Sequence, residues 1–180
     1  KIIAQIKAGE HLIQYETVCV NKNEELLDVS LTLSPIHNKE GQIIAISGIT
    51  RDISKGKNLE RLLKMSEERY RELVELSPTG IVIHRNGKIL YTNKAAQILF
   101  AEKNAIGNSI YDYIHPRFQE VTEQRLSRIA KGLPIEFMDL KLVRKDGEHI
   151  YANIGTMKIP YDDEIAYLAM FHDVTEYKKM

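Results

Sequence analysis

The residues able to do chemistry are few: Cys19, the histidines His84, His115, His149 and His172 in the second half, and two pairs, Asp52/Ser54 and Asp173/Thr175. Histidines at ligand spacing would hold a metal, but each of these stands alone in sequence. A lone histidine is usually structural or solvated, so no metal site is expected. A thiolate would serve as a redox switch, but no basic neighbour is evident to lower the pKa of Cys19. It is expected to be a half-buried strand thiol. The acidic and hydroxyl residues two apart suit a different task. Placed where a strand gives way to a helix, their side chains can hydrogen-bond backbone donors at the junction. Such a junction is either a two-state relay or a static cap, and the spacing leaves both open.

Catalytic signatures are missing. There is no P-loop, HExxH, nucleophile elbow or CxxC, no phosphoacceptor His-Glu-x-x-Asn-Pro and no glycine-rich ATP lid, so this segment is not expected to be an enzyme. The bulk properties exclude further classes. Lysine plus arginine equals aspartate plus glutamate at 25 each, and no basic stripe stands out, which argues against nucleic acid. No apolar run reaches the roughly 18–20 residues needed to span a bilayer, and a lone cysteine fits a reducing compartment, so a cytoplasmic location is expected. The 180 residues are 43% hydrophobic, enough for one domain or two small ones. The chain opens at Lys1 without a Met or a signal-peptide pattern, so the true N-terminus is expected elsewhere.

Three elements must position these residues. Residues 12–53 alternate as three consecutive strands with short turns, an antiparallel meander. Residues 55–77 are charged and carry Leu59, Leu63, Ser66, Tyr70, Leu73 and Ser77 at 4-3-4-3-4 spacing. That is a helix with a narrow apolar seam, either a short dimer-forming coiled coil or a surface helix packed on its own domain. Residues 78–177 are the longest unit. A hairpin turns at Asn86-Gly87, and Asn93 can N-cap a short helix that carries Ala96, Leu99 and Phe100. A short turn or helix ends at Pro116, an amphipathic helix runs from Pro116 to Gly132, and three strands follow.

The last meander repeats the first. Ile6-Lys7-Ala8-Gly9 aligns with Ile129-Ala130-Lys131-Gly132, Lys22 and Glu25 with Lys145 and Glu148, and Arg51-Asp52-Ile53-Ser54 with His172-Asp173-Val174-Thr175. Offsets of 121 to 123 residues mark one unit written twice, the first copy without its hairpin and short helices. Three strands without helical cover leave an apolar face exposed. Either the sequence begins inside a domain, or another chain supplies the cover by swapping or dimer packing.

The order strand-strand-helices-long helix-three strands, with Asn93-Lys94-Ala95-Ala96, Ile106-Gly107, Ile114-His115-Pro116, Lys145-Asp146-Gly147 and the two Asp-x-Ser/Thr endings, resembles the PAS sensor family. Residues 70–177 are most similar to the PAS region of cytosolic bacterial sensor histidine kinases, including sporulation kinases. The resemblance implies an α+β fold, a five-stranded antiparallel sheet with helices over one face and a pocket between, preceded by a helical linker and a partial PAS. Residues 1–54 would be the end of a first PAS domain, 55–77 the linker, 78–177 a complete second domain and 178–180 the start of an exit linker.

Period-two alternation puts Leu140, Leu142, Ala152, Ile154, Tyr167, Ala169 and Phe171 on one sheet face. Together with Ile83, Phe100 and Ile114 they would line a pocket for a small apolar or amphipathic ligand, or simply fill a core. Neither flavin nor haem is expected. Family members that ligate haem by histidine place it on the long helix, and 117–131 contains none. Light-sensing members carry a reactive cysteine just after the Gly107 position, where this chain has Asn108-Ser109-Ile110. They also hold flavin with amide side chains where this chain has Leu142, Ala152 and Phe171. The resemblance further implies a homodimer through the linker helix, with Leu59, Leu63, Tyr70 and Leu73 as its seam, and an output domain in the same polypeptide. A histidine kinase is the first expectation for that domain and a diguanylate cyclase the second. Asp52, Ser54, Asp173 and Thr175 would relay the signal. The rival reading is a constitutive dimerisation scaffold that binds nothing.

Overall fold

The computed structural model describes residues 13–179. The stretch aligned above as Ile6-Lys7-Ala8-Gly9 therefore lies outside the described residues. The chain divides into two compact units at Glu68 and Arg69. Among the described residues no helix is long and apolar enough to cross a membrane.

The first unit contains an antiparallel meander: β1 (Ile13–Val20), β2 (Leu26–His37) and β3 (Ile43–Asp52), in that spatial order. Tyr15 opposes Leu31, which opposes Thr50, and Thr17 opposes Val29, so these residues share a face. Of the hydrophobics on it only Val29 is buried, because no helix among the described residues lies across it. Cys19, opposite Leu27 on that face, is consequently exposed and not the half-buried thiol expected. The helix α1 (Ser54–Leu76) follows and runs from the first unit into the second.

In the second unit the five-stranded sheet has the order β5-β4-β8-β7-β6, from β4 (Gly80–Arg85), β5 (Lys88–Thr92), β6 (Met138–Val143), β7 (His149–Tyr161) and β8 (Glu164–Asp173). Asn86 and Gly87 both adopt positive φ, 50° and 81°, the backbone that a tight two-residue hairpin between right-twisted strands needs. Asp162 and Asp163 do the same between β7 and β8. Both sheet edges are covered by irregular chain. The 107–109 loop bonds to Ile89 on β5, and His115 N–H donates to Lys141 on β6 while Val143 N–H donates to Tyr113. These bonds shorten the open ladder that either edge presents to another strand.

Helices α2 (Lys94–Phe100) and α3 (Gln119–Ala130) lie over one face, separated by 3₁₀ turns at Ile110–Asp112 and Pro116–Phe118. A short helix α4 (Thr175–Lys179) ends the described chain. The core between sheet and helices is built from Val82, Ile89, Phe100, Tyr113, Leu142 and Phe171 with their neighbours. Phe100 stacks on Tyr113 at 4.2 Å and meets Phe171 edge-on. The first of the three strands after Gly132 begins only at Met138. Arg125 and Arg128 of α3 donate to the carbonyls of Glu136 and Pro134, which withdraws those groups from the ladder.

Candidate functional site

Between the sheet and α3 lies a cavity with about 40 Å³ of free space. Seven of the ten residues expected to line it do so: Phe100, Ile114, Leu140, Leu142, Ile154, Ala169 and Phe171. Three do not. Ile83 lies on the opposite face of the sheet, in a shallow groove with Ile81, Tyr91 and Leu168. The pairing explains it: Val82 stands directly opposite Ala169, and directly paired residues share a face, so Val82 and not Ile83 looks into the cavity. Ala152 is fully buried in the core but reaches no cavity wall. Tyr167 lies beyond the cavity's end, stacked on His84 with centroids 5.5 Å apart, beside a cleft at Asn86 and Gly87.

Several lining residues escaped the sequence reading. Thr122, Arg125, Leu126 and Ile129 form one stripe of α3 at i, i+3, i+4 and i+7, a pattern that helical periodicity alone could have supplied. His84 is the other. It is 3% exposed, its Nδ1 has no hydrogen-bond partner, and burial lowers its pKa to about 4, so the ring is neutral at pH 7. His115 N-caps the 3₁₀ turn at Pro116, its Nδ1 accepting from Arg117 N–H, and its ring lies edge-on to His149. Among the described residues no three potential metal-ligating side chains converge.

The two Asp-x-Ser/Thr pairs are built alike. Asp173 Oδ1 accepts from Thr175 N–H at 2.8 Å, and Asp52 Oδ1 accepts from Ser54 N–H at 2.8 Å. Thr175 Oγ1 accepts from Tyr151 N–H at 3.0 Å and donates to the Tyr151 carbonyl. Ser54 Oγ does the same with Asp28, accepting at 2.9 Å. The hydroxyl thus pins the first residue of each helix to the middle strand of its meander. A second tie was not foreseen. Lys178 bridges Asp139 at 2.8 Å and Lys57 bridges Glu16 at 2.7 Å, joining the first helical turn to the first strand of the same meander. Lys178 holds the Asp139 carboxyl below its usual range, and bonds from Ser54 do the same to Asp52.

This tie predicts a local effect. Thr175→Val strands the Tyr151 N–H and removes the pin from a helix too short to stand alone. Losing one such bond costs about 1 kcal/mol, so exchange of the 175–179 amides should rise about five- to tenfold. Hydrogen exchange read by mass spectrometry should find protection elsewhere in 80–173 nearly unchanged. A uniform loss across the unit would instead mean a merely structural residue.

At the other end of the unit, α1 is fixed by Asn93 and Glu75. The Asn93 amide donates to the carbonyls of Val74 and Thr79, and its Oδ1 accepts from Ile81 N–H and Ala96 N–H, all within 2.8–3.0 Å. Glu75 accepts from the Tyr91 hydroxyl at 2.6 Å and from Lys94 N–H. The expected seam residues Leu59, Leu63, Tyr70 and Leu73 are all exposed, as are Leu62, Met65 and Leu76. The apolar surface of α1 is therefore wider than a single seam.

Comparison with known proteins follows this geometry. A family model described as the PAS fold matches residues 68–174, and one described as a PAS domain matches residues 1–55. Over 113 residues the chain is 27% identical to Sporulation kinase A of Bacillus subtilis (strain 168), covering 61% of this chain and 19% of that protein. The matched part thus spans about a fifth of the kinase's length. The PAS domain of an HTR-like protein from Haloarcula marismortui superposes with a TM-score of 0.56 at 22% identity, over 66% of this chain and 99% of that one. A PAS domain from Colwellia psychrerythraea gives 0.54 at 18% identity, over 61% and 97%.

Proposed function

The chain belongs to the PAS family of sensory domains, and on that premise we propose that it is the sensing and dimerisation region of a cytoplasmic bacterial sensor kinase. Its parts would be a partial PAS over 1–54, a linker helix over 55–77, a complete PAS over 78–177 and the start of an exit linker at 178–180. A change in the cavity or at a dimer surface would be passed through the helices to an output domain beyond this segment. A histidine kinase is the first choice for that output, on the likeness to Sporulation kinase A, and a diguanylate cyclase the second.

The observation that carries this reading is the duplicated junction. The same hydroxyl pin, carboxylate bond and lysine bridge mount a helix on its meander in both copies. A rotation of a meander strand therefore has a polar lever on the helix that follows it. The small cavity favours a second reading, a constitutive dimerisation scaffold, because 40 Å³ is far below the roughly 300 Å³ usual for ligand pockets.

Native mass spectrometry at low micromolar concentration tests both. A dimer is expected, converted to monomer by Leu59→Glu with Leu63→Glu, positions whose exposure lets the fold tolerate the charge. A monomeric wild-type chain would remove the coiled-coil seam from the proposal. A dimer whose mass never rises with added small molecules would favour the scaffold.

A further inference from the structure

The lining residues that carry polar groups are His84, Tyr113, Thr122, Arg125 and Thr156, and the Tyr113 hydroxyl is already bonded to Glu102 and Asn108. No carboxylate lines it. Arg125 is half-buried there, and among the described residues it has no ion-pair partner; it donates to the Glu136 carbonyl at 2.5 Å. The Thr122 hydroxyl is already spent on the Phe118 carbonyl, but His84 Nδ1 is buried and unpaired. An unpaired buried ring nitrogen costs stability, and so, to a lesser degree, does a cation partly withdrawn from water without a counter-charge. Both costs are relieved by the same kind of molecule. It has an anionic oxygen at one end and a short apolar tail.

We infer that the cavity takes a small aliphatic monocarboxylate, its carboxylate paired with Arg125, an oxygen accepting from His84 Nδ1–H, and its tail against Leu140, Leu142 and Phe171. This rests on the ligand-sensing reading of the same cavity and adds the chemical class. The free space of 40 Å³ sets the length: it holds about two or three waters, equivalent to a tail of about three carbons. Arg125 also sits in a second cleft with Arg128, Pro134, Ile135 and Glu136, so the carboxylate end lies toward the 132–137 loop. A carboxylate on Arg125 competes with the Glu136 carbonyl for the guanidinium. Ligand binding would therefore loosen the loop that leads into β6, the strand tied by Asp139 to α4.

The test is calorimetric titration of the full chain with butyrate, butyramide and 1-butanol, three probes of nearly equal size. Butyrate should bind at least tenfold more tightly than either neutral probe. Arg125→Gln should weaken butyrate at least tenfold and leave butyramide within twofold, and His84→Leu should weaken both. Circular dichroism confirms that each variant is folded. Butyramide or butanol binding as well as butyrate, or indifference of butyrate to Arg125→Gln, would overturn the acid assignment and leave a ligand-holding sensor intact. Binding of none of the three at millimolar concentration would overturn the assignment and the ligand-sensing reading together.

Discussion

Asn93→Ala should lower the unfolding free energy of the 69–180 unit by about 4 kcal/mol, the largest effect expected from any single polar substitution here. The amide is fully buried and all four of its hydrogen-bonding positions are used. Truncation strands the Thr79 carbonyl and two N–H groups where water cannot reach them easily, each costing about 1 kcal/mol or more, leaves the Val74 carbonyl only its long bond from Ser77 N–H, and removes the N-cap of α2. For a domain of this size that is a fall in Tm of about 20 °C. Urea denaturation should show a lower midpoint with an unchanged slope. Tyr91→Phe is the control: it removes only the hydroxyl bond to Glu75 and should cost about 1 kcal/mol. If the two variants lose equal stability, Asn93 is not the hub these bonds describe. The same residue has a functional side. By holding the Val74 carbonyl, Asn93 mounts the end of α1 on the start of α2, the contact through which a signal along α1 would reach the helices over the cavity under the proposed function.

What the sequence made legible was local. Asn86-Gly87 announced its hairpin because few other residue pairs accept positive φ twice in succession. Asn93 was readable as an N-cap, since that role depends on a residue three positions away. Its bonds to Val74, Thr79 and Ile81 were not, because they join segments brought together only by the sheet. Ile83 failed for a related reason. A run of Ile-Val-Ile has no intrinsic phase, and only the register of β4 against β8 decides which member faces inward. Arg125 was obscured by its charge: a cation on an amphipathic helix reads as solvated unless the stripe of Thr122, Leu126 and Ile129 around it is counted. The lysine bridges were within reach. Lys57 with Glu16 and Lys178 with Asp139 recur at the repeat offset, so aligning the two copies for opposite charges, and not only for matching residues, would have paired them.

The pH dependence of stability should betray His84 more clearly than any other histidine. Its folded pKa of about 4 lies below the unfolded value of 6.5, and the cause is burial of the ring. Between those values the unfolded chain binds the proton and the folded one does not, so stability rises with pH through this window. The contribution is fully present above pH 7 and is lost as the solution is acidified toward pH 4. Between pH 7 and 4.5 the difference is about 2.5 kcal/mol, at 1.36 kcal/mol per pKa unit. His84→Leu places an apolar side chain against Tyr167 and removes the titration. The remaining histidines are common to both proteins and cancel in the comparison. Asp52, Asp139 and Asp146, all held below the usual carboxylate range, lose their stabilising bonds only at still lower pH. Urea midpoints measured across the window should therefore show the wild-type chain losing stability relative to the variant as pH falls. Parallel profiles would mean that water reaches the ring, and the unpaired Nδ1 would then have a solvent partner in place of a vacant one. A relative loss below pH 6.5 that butyrate reverses would show that the buried nitrogen responds to an acid in the cavity, because a bound carboxylate favours the protonated ring and lifts its pKa back toward the ordinary value.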